Sequence, residues 1–208
     1  MTPAPDSDIL AALEGDTLLT AYANGIFPMV DQGELLWFSP DPRGLLPLDE
    51  RFHVSRSLQR TIRRGRYVCT VNRAFRRVVG LCGERGDGGP TWISPEIAIA
   101  YTRLHLLGFA HSVEAWPAGE VGCGEPVGGL YGVSLGGAFF AESMFHRRTD
   151  AGKVALVHLI ERLRRRGFVL CDVQWTTDNL RRFGAFDLPR DEYLALLAQA
   201  VFMNCRFA

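Results

Sequence analysis

The sequence predicts a mixed α/β (α+β) protein built on a largely antiparallel sheet. Two observations carry this. From Phe52 onward, short runs rich in β-branched and aromatic residues alternate with longer runs of helical period. Three strand-like runs then follow one another in mid-chain, and Gly136-Gly137 between two of them marks a hairpin turn. A meander followed by helix, strand and helix fits helices packed on a mostly antiparallel sheet better than an all-parallel one.

In chain order, residues 16–24 read as a short helix, closed by Gly25 as its C-cap. Prolines at 28, 40, 42 and 47 make the next stretch read as loop, the best candidate for a small N-terminal module and its linker. Strands are expected at 67–71, 111–116, 127–135, 138–143 and 168–174. Helices are expected at 72–82, 95–107, 153–166, 177–183 and 190–200. Pro95 suits a helix's first turn, with Ser94 as its N-cap.

The 208 residues suffice for a proper core, as one large domain or a domain with a small appendage, and a hydrophobic content of 47% with 22% charged is ordinary for a globular protein. No apolar run approaches the roughly 20 residues a membrane span needs. The acidic start, MTPAPDSDILAALEGD, lacks the basic and apolar regions of a signal peptide. Cysteines 69, 82, 123, 171 and 205 form no CxxC pair, and the histidines are scattered. These features predict a cytoplasmic protein with no metal site and no disulfide framework.

Within 167–189, GFVLCDVQWTTDNLRRFGAFDLP, an aspartate and a glutamine stand two apart on an otherwise apolar strand. Alternation places Asp172 and Gln174 on one face, opposite Cys171 and Val173. An acid inside an apolar run is either paired, used, or at a strand end facing water, and the spacing leaves these open.

Formal net charge is zero, so the whole molecule exerts no strong pull on nucleic acid. The distribution is uneven. Arg56, Arg60, Arg63, Arg64 and Arg66 fall within eleven residues that contain no acid. Arginines also gather at 162–166, 147–148 and 181–182. Such patches hold phosphates well. Two plainer alternatives stand beside that reading: basic residues suit a helix C-terminus, and nearly all the cations of this chain are arginine.

The strings AYANGIFPM (21–29), LWFSPDPRGLLPLD (36–49), FHVSRSL (52–58), TWIS (91–94), EPVGGLYGVSLGGAFFAESMFHR (125–147), and DVQW followed by GAFDLPRDEYL (172–194) closely resemble leucyl/phenylalanyl-tRNA–protein transferases, collinearly over about residues 16–198. The resemblance implies a small N-terminal domain, 1–46, and a GNAT-like acyltransferase domain, 47–208. It implies transfer of leucine or phenylalanine from Leu-tRNA or Phe-tRNA to proteins with N-terminal arginine or lysine, marking them for N-degron degradation. It implies no cofactor and no membrane, and nothing in the chain demands more than a monomer.

Carried over residue by residue, the resemblance makes Asp172 and Gln174 the catalytic pair, orienting the attacking amine or relaying its proton. It makes Leu130, Phe139, Met144 and Phe145 linings of the apolar side-chain pocket, although an apolar hairpin residue is usually just core. Trp92, after the glycine-rich loop at 83–89, is implied to stack on the terminal adenosine, a contact worth about 1–3 kcal/mol per base. Glu142 is implied to hold a ribose hydroxyl or a pocket residue, or else to be a paired acid. The arginines at 56, 60, 63, 64 and 66 match a basic cluster that contacts the acceptor stem. Met29 departs from the family, which commonly has a tryptophan there; Trp37 is a possible substitute. The short termini are a further departure that bears on acceptor specificity.

Three competing readings are weaker. A CoA-dependent acetyltransferase wants a glycine-rich loop before a helix, whereas Gly122, Gly124, Gly128, Gly129 and Gly132 precede strand residues. A noncatalytic tRNA binder predicts loss of residues that are all present. A Cys171 nucleophile has no nearby histidine to activate it.

Overall fold

The proline-rich stretch read as loop holds three strands. The computed structural model describes residues 5–84, 89 and 91–208, so most of the expected 83–89 loop lies outside the described residues. The chain opens with helices α1 (Ser7–Ala12) and α2 (Gly15–Ala23), then strands β1 (Phe27–Asp31), β2 (Glu34–Phe38) and β3 (Arg43–Leu46). Pro28 is tolerated because β1 and β2 form only a two-stranded antiparallel ribbon, in which Pro28 faces Trp37 across the ladder.

The main body continues with α3 (Arg56–Arg63), β4 (Tyr67–Val71), α4 (Phe75–Gly83), α5 (Pro95–Leu106) and β5 (Ala110–Pro117). It goes on through β6 (Gly128–Leu135), β7 (Ala138–His146), α6 (Ala151–Arg165), β8 (Leu170–Gln174), α7 (Asp178–Arg181), β9 (Phe186–Leu188) and α8 (Arg190–Ala200). Ser94 caps α5 as expected, accepting from Ile97 N at 3.3 Å. The helix α3 escaped the sequence reading because four of its eight residues are arginine or glutamine. Its Ser55 cap and its inward-facing Leu58 and Thr61 are what fix it.

Seven strands form one mixed sheet in the order β4-β5-β6-β7-β8-β3-β9. Every pairing is antiparallel except β7 with β8. The parallel pair is joined by α6, the crossover such a pair requires. Helices cover both faces. On one, Leu18, Tyr22, Val78, Ile97, Tyr101 and Leu197 pack with Val133, Phe140 and Leu170. On the other, Leu156, Leu159 and Ile160 of α6 pack with Leu130, Phe139, Cys171 and Val173. Neighbouring residues such as Phe139 and Phe140 go to opposite layers, as strand alternation dictates. At Gly128 a Cβ would lie 2.5 Å from Ala151 C and Gly152 N, so the start of α6 rests directly on β6.

Candidate active site

Two departures from regular strand geometry build the site. Between β6 and β7 the register jumps: Tyr131 faces Ser143 and Gly132 faces Ala141, leaving Glu142 as the extra residue of a β-bulge. At the end of β8, Trp175 N donates to Val173 O at 2.7 Å around Gln174, whose φ is +60°. A three-residue turn of that kind is rare and strained for a non-glycine residue. The turn corrects the expected alternation: Gln174 shares a wall with Val173 instead of following Asp172 to the opposite face.

Between the bulge and the turn lies a cavity of about 350 Å³, within the roughly 300–1,000 Å³ range of small-molecule sites. Leu130, Met144, Leu156, Val173 and Leu180 make its apolar walls; Glu142 and Gln174 supply polar groups. Phe27, Met29, Trp92 and Trp175 form an aromatic and thioether side. Trp175 packs edge-on against Phe27, ring centres 5.3 Å apart.

Asp172 is fully buried and does not reach this cavity. Arg43 Nη2 donates to its Oδ2 at 2.7 Å and Arg43 Nε to its Oδ1 at 2.9 Å. Tyr193 Oη donates to Oδ2 at 2.6 Å, and the Gln174 backbone N–H to Oδ1 at 2.8 Å. Arg43, itself 1% exposed, donates through Nη1 to Gly25 O at 2.8 Å and lies over the rings of Phe27 and Tyr193. The charge is thus paired and its lone pairs are filled, the condition under which a buried carboxylate is tolerated. One of those four contacts holds the strained turn whose side chain faces the cavity.

Glu142 is the titratable group on the cavity wall. Although it keeps some contact with solvent, burial pushes its carboxyl up to about 8; the Asp172 charge adds to the rise, and hydrogen bonds from Tyr22 and Tyr101 oppose it. Tyr101 Oη donates to Glu142 Oε2 at 3.4 Å, and the Tyr22 and Tyr101 hydroxyls are themselves hydrogen-bonded. With its nitrogen turned inward, the Gln174 amide donates to Val173 O and Ala141 O, each at 3.0 Å. That orientation leaves its oxygen toward Glu142, whose Oε1 lies 3.4 Å from the outer amide atom. A protonated Glu142 is the natural donor to it, in keeping with the raised pKa.

Two sequence profiles match this chain: that of the leucyl/phenylalanyl-tRNA protein transferase over residues 45–198, and that of the same enzyme's N-terminal domain over residues 12–41. The chain belongs to the leucyl/phenylalanyl-tRNA protein transferase family. It is 51% identical over 195 residues to the leucyl/phenylalanyl-tRNA–protein transferase of Herpetosiphon aurantiacus, covering 94% of this chain and 98% of that one. It is 54% identical over 209 residues to the enzyme of the same name from Anaeromyxobacter sp., covering 96% and 86%. A crystal structure of a conserved protein of unknown function from Bacteroides thetaiotaomicron covers 92% of this chain and 65% of its own at 12% identity, and its TM-score of 0.43 is too low to carry an argument.

Set against the family-derived expectations, Gln174, Glu142, Leu130, Met144, Trp92 and Met29 all meet at the cavity. Phe139 and Phe145 do not. Phe139 is fully buried and stacks on Phe207, ring centres 5.0 Å apart, in the layer beneath α6. Phe145 packs in the opposite core layer, on the far side of the bulge. Trp37 lies on β2, off the cavity wall, and Trp175 occupies the aromatic side in its stead. Trp175 stands in the quoted DVQW string, but the local pattern assigned it no role. Cys171 is buried and its thiol is pushed far above the ordinary range, first by burial and then by Asp172, so it offers no thiolate. Among the described residues no group of three acidic, histidine or cysteine side chains could hold a metal ion, and no helix is long and apolar enough to cross a membrane.

On α3, Arg56, Arg60 and Arg63 recur at helical spacing and are exposed, as are Arg64 and Arg66 just beyond. None of the five has a carboxylate partner among the described residues. By contrast, Arg147 is paired with Glu84 and Glu125, and Arg181 with Asp187.

Proposed function

We propose that this protein transfers leucine or phenylalanine from aminoacyl-tRNA to the N-terminal arginine or lysine of an acceptor protein, in the cytoplasm. The observation that carries the reading is the single cavity in which an apolar end, an aromatic side and the Gln174–Glu142 pair meet. The acceptor's α-amine attacks the ester carbonyl, the C–N bond forms, the C–O bond to the terminal ribose breaks, and the ribose hydroxyl leaves with a proton. The ester is already activated, so the step calls for positioning and electrostatics more than for added energy.

In this reading Leu130, Met144 and Leu156 accept the aminoacyl side chain, with the flexible Met144 adapting to either shape. Trp92 and Trp175 face the adenosine, and Met29 beside them contributes contact without ring stacking. Gln174 orients the amine. Asp172 is a positioning residue that acts through the Gln174 backbone and the Arg43 anchor. The exposed arginines 56, 60, 63, 64 and 66 contact acceptor-stem phosphates by shape and charge. In this reading the division at residue 46 sets the ribbon-bearing N-terminal part apart from an acyltransferase-type body, with β3, the last strand before that line, joining the main sheet.

The test is transfer of labelled leucine from Leu-tRNA to a peptide beginning with arginine, beside a glycine-initial control. Transfer to the arginine peptide alone is expected. Absence of transfer while tRNA still binds would refute the reaction, and equal transfer to both peptides would refute the acceptor rule.

A further inference from the structure

A second cavity, of about 280 Å³, adjoins the first. We propose that it is a phosphate subsite holding the phosphodiester immediately 5′ of the aminoacylated adenosine, an inference that rests on the aminoacyl-tRNA reading above. Three observations support it. The first is position. Ser55 and Ser57, at the start of α3, form one wall, and Asn179 of α7 belongs to both cavities. A strand leaving the exposed arginines of α3 for the main cavity therefore crosses this depression.

The second is charge. The lining brings together Lys153, Arg182 and His53, with Asp150 as its acid. Both oxygens of Asp150 are engaged: Thr61 Oγ1 donates to Oδ2 at 3.1 Å, and Lys153 Nζ lies 3.7 Å from Oδ1. Lys153 and Arg182 against the one acid leave a net positive site. The third is availability. Arg182 has no carboxylate partner among the described residues, whereas its neighbour Arg181 is held by Asp187 at 2.6 Å. The Ser55 and Ser57 hydroxyls, 3.0 Å apart, add neutral donors of the kind that accompany arginine on a phosphodiester.

The test compares two minimal donors, 3′-O-leucyl-adenosine and leucyl-cytidylyl-adenosine, which differ by one nucleotide and one phosphodiester. Charge-assisted contacts of this kind predict a kcat/KM advantage of roughly 10- to 100-fold for the dinucleotide in the wild-type protein. The paired change Lys153→Gln and Arg182→Gln, at a half-buried and an exposed position, should remove most of that advantage while leaving transfer from leucyl-adenosine within about twofold. Arg182→Lys should restore part of it. Equal efficiency of the two donors in the wild type, or an advantage that survives the double variant, would overturn the inference alone. Failure of the wild type with every donor, intact leucyl-tRNA included, would overturn the underlying reading and the inference with it.

Discussion

Replacing Asp172 by asparagine separates two roles that a simple activity assay confounds. The substitution keeps the size of the side chain but removes the charge that faces Arg43, which is 1% exposed and has one other hydrogen-bond partner, Gly25 O. Breaking one side of a buried ion pair costs about 3–5 kcal/mol, because the remaining charge is left buried and uncompensated. With a urea m-value of about 2–3 kcal/mol/M, that is a midpoint lower by about 1–2.5 M. Equilibrium urea unfolding followed by circular dichroism reads this directly. A midpoint shift below about 0.3 M with unchanged m would refute the account of the pair as structural. The companion variant, Asp172→Leu with Arg43→Met, removes both charges and should recover most of the lost stability. It should not recover transfer, because nothing then accepts the Gln174 N–H that now reaches Asp172 at 2.8 Å. A stable double variant with full activity would show that the Gln174 turn needs no carboxylate beneath it.

Glu142→Gln tests the protonated carboxyl. With a folded pKa of about 8 and an unfolded one near about 4.3, the folded state keeps a proton the unfolded state has released, so wild-type stability falls as pH rises between those values. The fall is bounded by about 5 kcal/mol, and the amide variant should flatten it; parallel urea-midpoint profiles for the two proteins would reject the neutral acid. Gly44→Ala places a Cβ 2.7 Å from Thr176 N and 2.8 Å from Trp175 C, against the backbone that follows the turn. It should cost about 1–3 kcal/mol and impair transfer, while Gly80→Ala, which meets only Arg77 Nη1 at 3.9 Å, should be neutral or stabilising. Met144→Ala enlarges the pocket and should move the Phe-to-Leu ratio of kcat/KM toward Phe by about 1–3 kcal/mol; an unchanged ratio would take Met144 out of the specificity wall. Arg56, Arg60 and Arg63 changed together to glutamine should weaken tRNA binding and flatten its log-salt slope by about 0.7–0.9 per lost phosphate contact, and a slope equal to wild type would remove α3 from the interface.

How much of this was legible in the chain depended on how local its cause was. Mid-chain strands and the capped helix at Pro95 follow from period and punctuation, and the structure has them within a few residues of the expected bounds. Asp172 could be flagged as an acid that must be paired or used, because its apolar neighbours are adjacent. Its partner could not be found that way: Arg43 stands 129 positions earlier and meets it only because β3 and β8 are laid side by side. The same limit explains the two misplaced phenylalanines. Alternation assigns Phe139 and Leu130 to one layer, and both are there, but the cavity opens where the bulge at Glu142 interrupts the ladder and the strained turn at Gln174 ends it. A bulge is a relation between two strands, so one strand's sequence does not announce it. The expectation for Met29 shows the reverse case. The family pattern made it a deficit, yet the aromatic side of the cavity is supplied by Trp175, brought there by the same turn that presents Gln174. The turn thus sets the orientation of the amide and the position of the ring together, so a change beneath it at Asp172 reaches both from a residue that does not line the cavity.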